Sequence, residues 1–255
     1  MADRFGPFRN YIVNSSWEAV KELAQLGIST NVDLHTLELP VLYSKCKQQV
    51  VKIWETLHPT LAVHVGLAPS AKAVILEQCG RNKGYADRDV AGFRPEEGCC
   101  VPQGPERIES VVHTRTVCRK TARSWADVIY SRDAGRYICD YAFYCSLYYG
   151  RGRAALVHMP PLTESLTARH LAKTLQMIIN EMLNQCGVTD TSSRRIDLTK
   201  ALPTAERDLA PPPDGDIFVI GYAVKAEFVG SGVQRARQML NHQGNVLMIQ
   251  PRPEA

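Results

Sequence analysis

The stretch Leu61-Ala-Val-His-Val-Gly-Leu67 is apolar at almost every position. A strand that is hydrophobic throughout, rather than at alternate positions, is typical of a parallel sheet whose two faces are both covered by helices. A second apolar run, at residues 154–158, is stopped by a Pro-Pro pair and is also predicted to be a strand. These two runs predict an α/β protein with a buried, mostly parallel sheet.

Strands and helices are predicted to alternate along most of the remaining chain. The predicted strands lie at residues 32–39, 61–67, 126–130, 154–158 and 216–224. The predicted helices lie at residues 14–27, 43–57, 137–149, 163–184 and 233–240, with a further helix in or near 107–121 and a long irregular loop at 78–105. This alternation predicts a three-layer α/β/α sandwich, in which functional sites lie at the carboxyl ends of the strands.

The overall composition excludes several classes of function. The chain has 255 residues and a net charge of +4, with basic residues scattered rather than clustered, so nucleic-acid binding is not predicted. No apolar run approaches the ~20 residues that span a bilayer, and the N-terminus has no apolar centre typical of a signal peptide. We therefore expect a cytoplasmic protein without a membrane segment; the sequence leaves its oligomeric state open.

Eight cysteines are spread through the chain, too sparsely for a disulfide framework, and are expected to be reduced. Cys99 and Cys100 are adjacent, and with Cys79 they suggest a metal site. Their spacing fits no common zinc pattern, so we predict neither a metal nor a cofactor.

The stretch Ser131-Arg-Asp-Ala-Gly-Arg-Tyr-Ile-Cys139-Asp140 places a cysteine after a glycine-containing loop, where an aromatic helix is predicted to begin. Backbone N–H groups at such a turn lower the pKa of a thiol and can form an oxyanion hole. Cys139 is therefore a candidate nucleophile. The alternative is a buried core cysteine, which is common among aromatic and aliphatic neighbours.

His158 ends the apolar run at 154–158, at the predicted carboxyl edge of the sheet. An imidazole there can take a proton from a thiol and return it, provided that a partner fixes its tautomer. Glu77, which follows the apolar run Ala73-Val-Ile-Leu76 and enters a Gly-rich loop, is a candidate for that partner. The alternatives are a hydrogen-bonded core histidine and a surface glutamate.

Two aromatic residues near the N-terminus, Phe5 and Phe8, flank a Gly-Pro turn. Their rings either belong to the core or form the walls of a flat apolar pocket. Asn14 is a good residue for capping the predicted helix that comes after it.

Taken together, several segments resemble the pyroglutamyl-peptidase I family of cysteine peptidases, and in particular its vertebrate branch and the pyroglutamyl-peptidase-like paralogues. The segments that carry the resemblance are Phe5-Gly-Pro-Phe8, Val13-Asn-Ser-Ser-Trp17, His64-Val-Gly66, Leu76-Glu-Gln-Cys-Gly80, Asn82-Lys-Gly-Tyr85, Asp133-Ala-Gly-Arg-Tyr-Ile-Cys139-Asp140 and Val157-His-Met-Pro160. The resemblance implies a triad in which Cys139 is the nucleophile, His158 the general base and then acid, and Glu77 the residue that orients the histidine.

The resemblance also implies a substrate, a peptide with an N-terminal pyroglutamate. Phe5 and Phe8 would sandwich the lactam ring, and Asn14 would lie near that pocket. An apolar slot accepts this neutral flat ring and rejects a charged amino terminus, whose desolvation is costly. Attack by the thiolate would give a thioester that water hydrolyses.

Three departures from the family pattern favour an alternative, a weakened or inactive paralogue that keeps the pocket and acts only by binding. Only Met1-Ala-Asp-Arg4 precedes the Phe-Gly-Pro-Phe segment, so the first family strand is expected to be truncated. Leu67-Ala-Pro69 replaces a small glycine-containing turn, and Gly92 stands where the family has an arginine thought to help hold the oxyanion. Arg88 and Arg94 are nearby but out of register.

The character of the chain changes after Cys186, where a polar stretch and the Pro-rich segment Leu209-Ala-Pro-Pro-Pro213 occur. We therefore expect a catalytic domain at residues 1–187 and a C-terminal extension at 188–255 that is partly disordered or loosely packed. The less favoured alternative is that residues 216–224 take the place of the missing first strand.

Overall fold

A computed structural model describes residues 14–28, 32–122, 124–188 and 216–223. Its helices and strands alternate along most of the chain. The helices are α1 (Ser15–Leu26), α2 (Tyr43–Thr56), α3 (Thr114–Lys120), α4 (Ile138–Tyr149) and α5 (Ala168–Gln185). The strands are β1 (Asp33–Pro40), β2 (Leu61–Leu67), β3 (Val74–Glu77), β4 (Cys79–Arg81), β5 (Arg107–Glu109), β6 (Val128–Ser131), β7 (Ala154–Met159) and β8 (Asp216–Ala223).

Six of the strands form one central sheet in the order β1-β8-β2-β7-β3-β6. The first four of these are parallel to one another, β3 is antiparallel to β7, and β6 is parallel to β3. The short strands β4 and β5 form a separate antiparallel pair. The prediction of an α/β fold with a mostly parallel central sheet is therefore confirmed.

Helices cover both faces of the sheet. Helices α2 and α4 pack on one face, and α1, α3 and α5 pack on the other, which gives two hydrophobic clusters separated by the sheet. All seven residues of β2 are buried, as expected of an interior strand between two helical layers. This sandwich fixes the positions of α4 and of the strand ends around β2.

The boundaries of two predicted helices differ from the structure. The helix predicted from residue 163 begins at Ala168, because the Thr167 side chain accepts a hydrogen bond from His170 N and caps the helix there. Residues 107–121 form both β5 and α3 rather than one helix. The predicted helix at 233–240 lies outside the described residues.

The largest difference concerns β8, from the C-terminal part of the chain. This strand lies between β1 and β2, in register with both, so that Val219 is paired with Thr36 on one side and Val63 on the other. Its side chains are buried alternately in the two hydrophobic clusters. For residues 216–223 the expectation of a loosely packed extension is therefore wrong. An apolar strand with two hydrogen-bonded neighbours loses both its ladders and its burial if it leaves the sheet.

The less favoured alternative, in which residues 216–224 supply a missing strand, agrees with this position in the sheet. The proposed boundary at residue 187 stays a prediction, since residues 189–215 and 224–255 lie outside the described part of the chain. The central sheet nevertheless includes a strand from beyond that boundary.

We predict that the chain cannot fold cooperatively without β8. Four apolar side chains of this strand are nearly or fully buried (Ile217, Phe218, Val219 and Ile220). At roughly 1.5–3 kcal/mol for each, their loss is comparable with the ~5–15 kcal/mol that stabilises a typical domain. A chain ending at residue 188 should therefore lose its cooperative thermal transition, as measured by circular dichroism.

The full-length variant Val219→Asp is the matched test, since it places a charge at the centre of the same strand without shortening the chain. It should show the same loss. A truncated chain that unfolds cooperatively at the temperature of the full-length protein would contradict the central role of β8.

Candidate active site

Three neighbouring strands bring the chemical groups of the candidate site to one face of the sheet. In the parallel pair β2–β7, Gly66 lies opposite His158, and in the antiparallel pair β7–β3, His158 lies opposite Ile75. Glu77 is two residues further along β3, on the same face as Ile75, so it is a diagonal neighbour of His158. The antiparallel direction of β3 is what places this carboxylate beside the histidine.

Glu77 and His158 form a buried pair. Glu77 Oε1 is 3.0 Å from His158 Nδ1, and the two residues are 2% and 8% exposed. Burial opposes charging of the imidazole, but hydrogen bonds and charge attraction from Cys139 and Glu77 outweigh it and raise the pKa of His158 to about 9. The carboxylate therefore orients the ring and favours its protonated form, leaving Nε2 to face the thiol.

Cys139 lies in the first turn of α4, beside the carboxyl ends of β2 and β7. Its thiol interacts with the His158 side chain and helps to raise the pKa of that ring. A Cβ placed on Gly66 would come 2.7 Å from Cys139 Sγ and 3.4 Å from His158 Nε2. The missing side chain at Gly66 thus makes the space in which the sulfur and the imidazole meet.

Cys139 does not follow directly from the carboxyl end of its own preceding strand, β6, as would be expected in a fully parallel sheet. β6 runs antiparallel to β7, so its own carboxyl end lies at the opposite edge of the sheet from His158. The loop at residues 132–137 carries the chain back to the start of α4. Cys139 therefore lies at the carboxyl ends of its neighbours β2 and β7, but not at that of β6.

The first turn of α4 offers backbone N–H groups beside the sulfur, because the first N–H groups of an α-helix have no partner within the helix. These groups and the helix dipole favour a thiolate and a developing oxyanion.

The next residue, Asp140, is 1% exposed, and its Oδ2 accepts a hydrogen bond of 2.9 Å from Tyr85 Oη. Burial raises the pKa of Asp140 to about 7. Tyr85 thereby ties the Asn82-Lys-Gly-Tyr85 segment to the start of this helix.

The sequence does not single out His64, a buried residue near the site, as a functional residue. His64 on β2 is fully buried, and both of its ring nitrogens have hydroxyl partners at 2.6 Å, Nδ1 with Tyr222 Oη and Nε2 with Ser146 Oγ. Burial lowers the pKa of His64 to about 3, so this ring is neutral. A polar residue inside an otherwise apolar strand was the available signal, since a buried imidazole requires two partners.

Of the three predicted substrate-binding residues, the structure describes one. Phe5 and Phe8 lie outside the described residues. Asn14 caps α1, with Oδ1 accepting from Ser16 N at 3.0 Å, while Nδ2 donates to Tyr222 O at 2.5 Å. Its role beside the substrate stays a prediction, and its capping role is clear.

The loop that carries Gly92 is held by its own hydrogen bonds. Arg88 Nη1 donates to Gly92 O at 2.7 Å, and Asp89 Oδ1 accepts from Ala91 N and Phe93 N. The backbone at Gly92 has a φ of 80°, and a Cβ there would meet nothing within 4 Å. In the described part of the chain, the Arg88 guanidinium therefore stabilises this loop by its hydrogen bond to Gly92.

The described ranges show neither a metal site nor a membrane helix. Within them, no group of three or more His, Cys, Asp or Glu side chains is placed to hold a metal ion. No helix among these residues has the length and apolar character to cross a membrane. All eight cysteines are free.

Comparison with known proteins gives consistent matches. The sequence model of the pyroglutamyl peptidase family matches residues 2–189. The human pyroglutamyl-peptidase 1-like protein is 51% identical over 168 residues, which is 65% of this chain and 86% of that protein. Mouse pyroglutamyl-peptidase 1 is 47% identical over 200 residues, 78% of this chain and 94% of that protein.

Solved structures show the same fold. The pyrrolidone carboxyl peptidase of Fervidobacterium islandicum superposes with a TM-score of 0.61 at 24% identity, covering 70% of this chain and 94% of that one. A mutant of the Pyrococcus furiosus enzyme gives a TM-score of 0.60 at 23% identity, covering 70% and 95%.

A helix-borne cysteine beside a buried His–Glu pair, on a three-layer α/β/α frame, is the arrangement of a cysteine hydrolase. The family match makes this assignment specific. The chain belongs to the pyroglutamyl peptidase family, whose members are cysteine peptidases.

We predict that Gly66→Ala blocks the site without unfolding the protein. The added Cβ would overlap Cys139 Sγ and displace it from the imidazole. Alkylation of Cys139 by iodoacetamide, followed by mass spectrometry of the peptide that contains it, should slow by about 10-fold or more, because a misplacement of about 1 Å can cost up to ~10²-fold.

Val65→Ala is the matched control, since this neighbour's side chain lies on the opposite face of β2, in the other hydrophobic cluster. It should lower thermal stability but leave the reactivity of Cys139 unchanged. Equal alkylation rates in Gly66→Ala and the wild type would contradict the close approach at Gly66.

We also predict that His64 makes the fold sensitive to acid. Its pKa is about 3 in the folded protein, against an ordinary value of 6.5. Between these values the unfolded chain binds the extra proton, so stability falls as the pH is lowered below 6.5, by up to about 1.4 kcal/mol per pH unit for one proton. Urea unfolding at several acidic pH values should show this slope, and His64→Gln should reduce it. Identical slopes in the two proteins would contradict the buried neutral imidazole.

Proposed function

We propose that this protein is a cysteine-type omega peptidase that releases N-terminal pyroglutamate from peptides, using Cys139, His158 and Glu77. The observation that carries the proposal is the position of these three side chains on one face of the sheet, with the His158–Glu77 hydrogen bond at 3.0 Å and with Cys139 Sγ and His158 Nε2 both bordering the space at Gly66. Membership of the pyroglutamyl peptidase family supports the substrate class.

The first half of the reaction acylates the enzyme. His158 Nε2 takes the proton of the Cys139 thiol, and the thiolate attacks the carbonyl carbon that joins pyroglutamate to the next residue. The oxyanion that develops faces the N–H groups at the start of α4. His158 then gives its proton to the leaving amine as the C–N bond breaks, which leaves a thioester between Cys139 and pyroglutamate.

The second half restores the enzyme. His158, now neutral, removes a proton from a water molecule that attacks the thioester carbonyl. The C–S bond breaks, the proton returns to the sulfur, and free pyroglutamate leaves. Glu77 remains hydrogen-bonded to Nδ1 throughout and stabilises the imidazolium each time it forms.

The raised pKa of His158 suits the start of this cycle. A thiolate–imidazolium pair is the reactive state of such a cysteine, and an imidazole with a pKa of about 9 holds the transferred proton at neutral pH. The half-buried position of Cys139 leaves the sulfur accessible to a substrate.

The substrate side of the proposal rests on chemistry rather than on described contacts. A pyroglutamyl ring has no charge and no free amino group, so a pocket with apolar walls favours it over an ordinary N-terminus. We assign those walls to Phe5 and Phe8, and the neighbouring polar position to Asn14.

The proposal is tested with a fluorogenic pyroglutamyl amide. The wild type should release the fluorophore, and Cys139→Ala should abolish the release because the nucleophile is lost. Glu77→Gln should lower kcat by a factor of up to about 10⁴, since the ring loses the carboxylate that fixes its tautomer. A matched prolyl amide, which has the same ring size but a charged amine, should be a poor substrate.

The alternative, a paralogue that binds without efficient turnover, gives a different result in the same experiment. It predicts no release of fluorophore together with saturable binding of the pyroglutamyl amide, measured by calorimetry. Absence of both release and binding would refute the substrate class itself.

A further inference from the structure

A line of buried hydrogen bonds connects β8 to the helix that carries the candidate nucleophile. Tyr222 Oη contacts His64 Nδ1, and His64 Nε2 contacts Ser146 Oγ, each at 2.6 Å. Ser146 also accepts a hydrogen bond of 3.2 Å from Trp54 Nε1 on α2. Tyr222, His64 and Ser146 are each 3% exposed or less, so water does not supply the partners.

The line of hydrogen bonds ends on α4 at Ser146, which lies on the same side of the helix as Cys139. Ser146 lies about two helical turns after Cys139, so both side chains are on the same side of α4. On β2, His64 and Gly66 lie two residues apart and face the same side of the sheet. The helix therefore contacts the strand with Cys139 at Gly66 and with Ser146 at His64.

Two contacts fix how far the helix lies along the strand. The contact at Gly66 is steric and has no directional bond. The Ser146–His64 bond is directional and short, so it restrains α4 against sliding along β2.

The ring of His64 needs Tyr222 to make this bond. A neutral imidazole has one donor and one acceptor nitrogen, so its two hydrogen bonds run in a fixed sense. If Nε2–H donates to Ser146, Tyr222 donates to Nδ1; if Ser146 donates to Nε2, Nδ1–H donates to Tyr222. In both arrangements, loss of the tyrosine hydroxyl leaves a buried nitrogen without a partner and frees the ring to turn.

We propose that Tyr222 is a positioning residue for the nucleophile Cys139, acting through His64 and Ser146. This inference rests on the proposed function of Cys139. It assigns a role at the site to a residue beyond 2–189, the part of the chain that matches the family.

A second contact of the same residue strengthens the assignment. The backbone carbonyl of Tyr222 accepts hydrogen bonds from Asn14 Nδ2 at 2.5 Å and from Ser16 Oγ at 3.3 Å. One residue of β8 thus joins the start of α1 through its carbonyl and β2 through its hydroxyl, and His64 continues the line to α4. A purely space-filling strand would need none of these bonds.

The test replaces the hydroxyl and keeps the ring. In Tyr222→Phe, alkylation of Cys139 by iodoacetamide at neutral pH should slow by about 10-fold, and its pH profile should move to higher pH because the thiol loses its well-placed imidazole. Mass spectrometry resolves Cys139 from Cys145 in the same tryptic peptide, and buried Cys145 serves as the internal reference. In the amide assay, kcat should fall and KM should change little.

Tyr144→Phe is the matched control. This buried tyrosine is also on α4 and also loses one hydroxyl hydrogen bond, from its Oη to Pro105 O at 2.6 Å, but that bond leads away from His64. The variant should lower stability to a similar degree and leave the pH profile of Cys139 alkylation unchanged.

Ser146→Ala tests the same line from its other end, and serves in place of Tyr222→Phe should that variant fail to fold. It should reproduce the shift in the alkylation profile. The double variant should be no slower than the worse single variant, because both substitutions break one chain of contacts.

The outcomes separate this inference from the proposed function. Wild-type profiles in both Tyr222→Phe and Ser146→Ala, or fully additive effects, would overturn the role of Tyr222. Absence of pyroglutamyl hydrolysis in the wild type would overturn the proposed function instead, and the alkylation profiles would still decide whether Tyr222 positions the thiol.

Discussion

The site depends on the close approach of α4 to β2 at Gly66. The sulfur of Cys139 occupies the space that any side chain at this position would fill, and the same space borders His158 Nε2. A thiol must be within hydrogen-bond reach of its base for proton transfer. The steric demand on one backbone position therefore governs whether the proposed triad can form. The remaining features of the fold, the flanking layers and the strand order, keep this approach in place.

The antiparallel direction of β3 determines where Glu77 lies relative to His158. A fully parallel sheet would bring the carboxyl end of β3 to the same edge as that of β7. Reversing β3 instead sets Glu77 diagonally beside His158, inside the sheet and away from water. In this buried position the carboxylate strongly favours the imidazolium, because charges interact more strongly where solvent is excluded. The direction of one short strand thus contributes to the raised pKa of the histidine.

Much of this arrangement was predictable from the sequence, and the reasons for the failures are physical. The apolar run at 61–67 predicted the buried parallel sheet, and the residues around Cys139, His158 and Glu77 carried local signals of turns and strand ends. The direction of β3 left no local signal, because pairing is decided between distant segments. The position of β8 was predicted only as the less favoured alternative for the same reason, since an apolar run after a Pro-rich segment is also consistent with an appendage. His64 lies in a strand that is predicted to be apolar, and only the folded structure shows which hydroxyls reach its ring.

The position of β8 between β1 and β2 has a consequence for the order of assembly. The ribosome releases β1 and β2 long before β8, and the interior slot between them stays unfilled until residue 223 has emerged from the exit tunnel. Contacts between segments so far apart in the chain form slowly, since a long loop must close first. During synthesis the nascent chain therefore leaves the facing edges of β1 and β2 unpaired, and such edges can pair with other chains until β8 fills the slot.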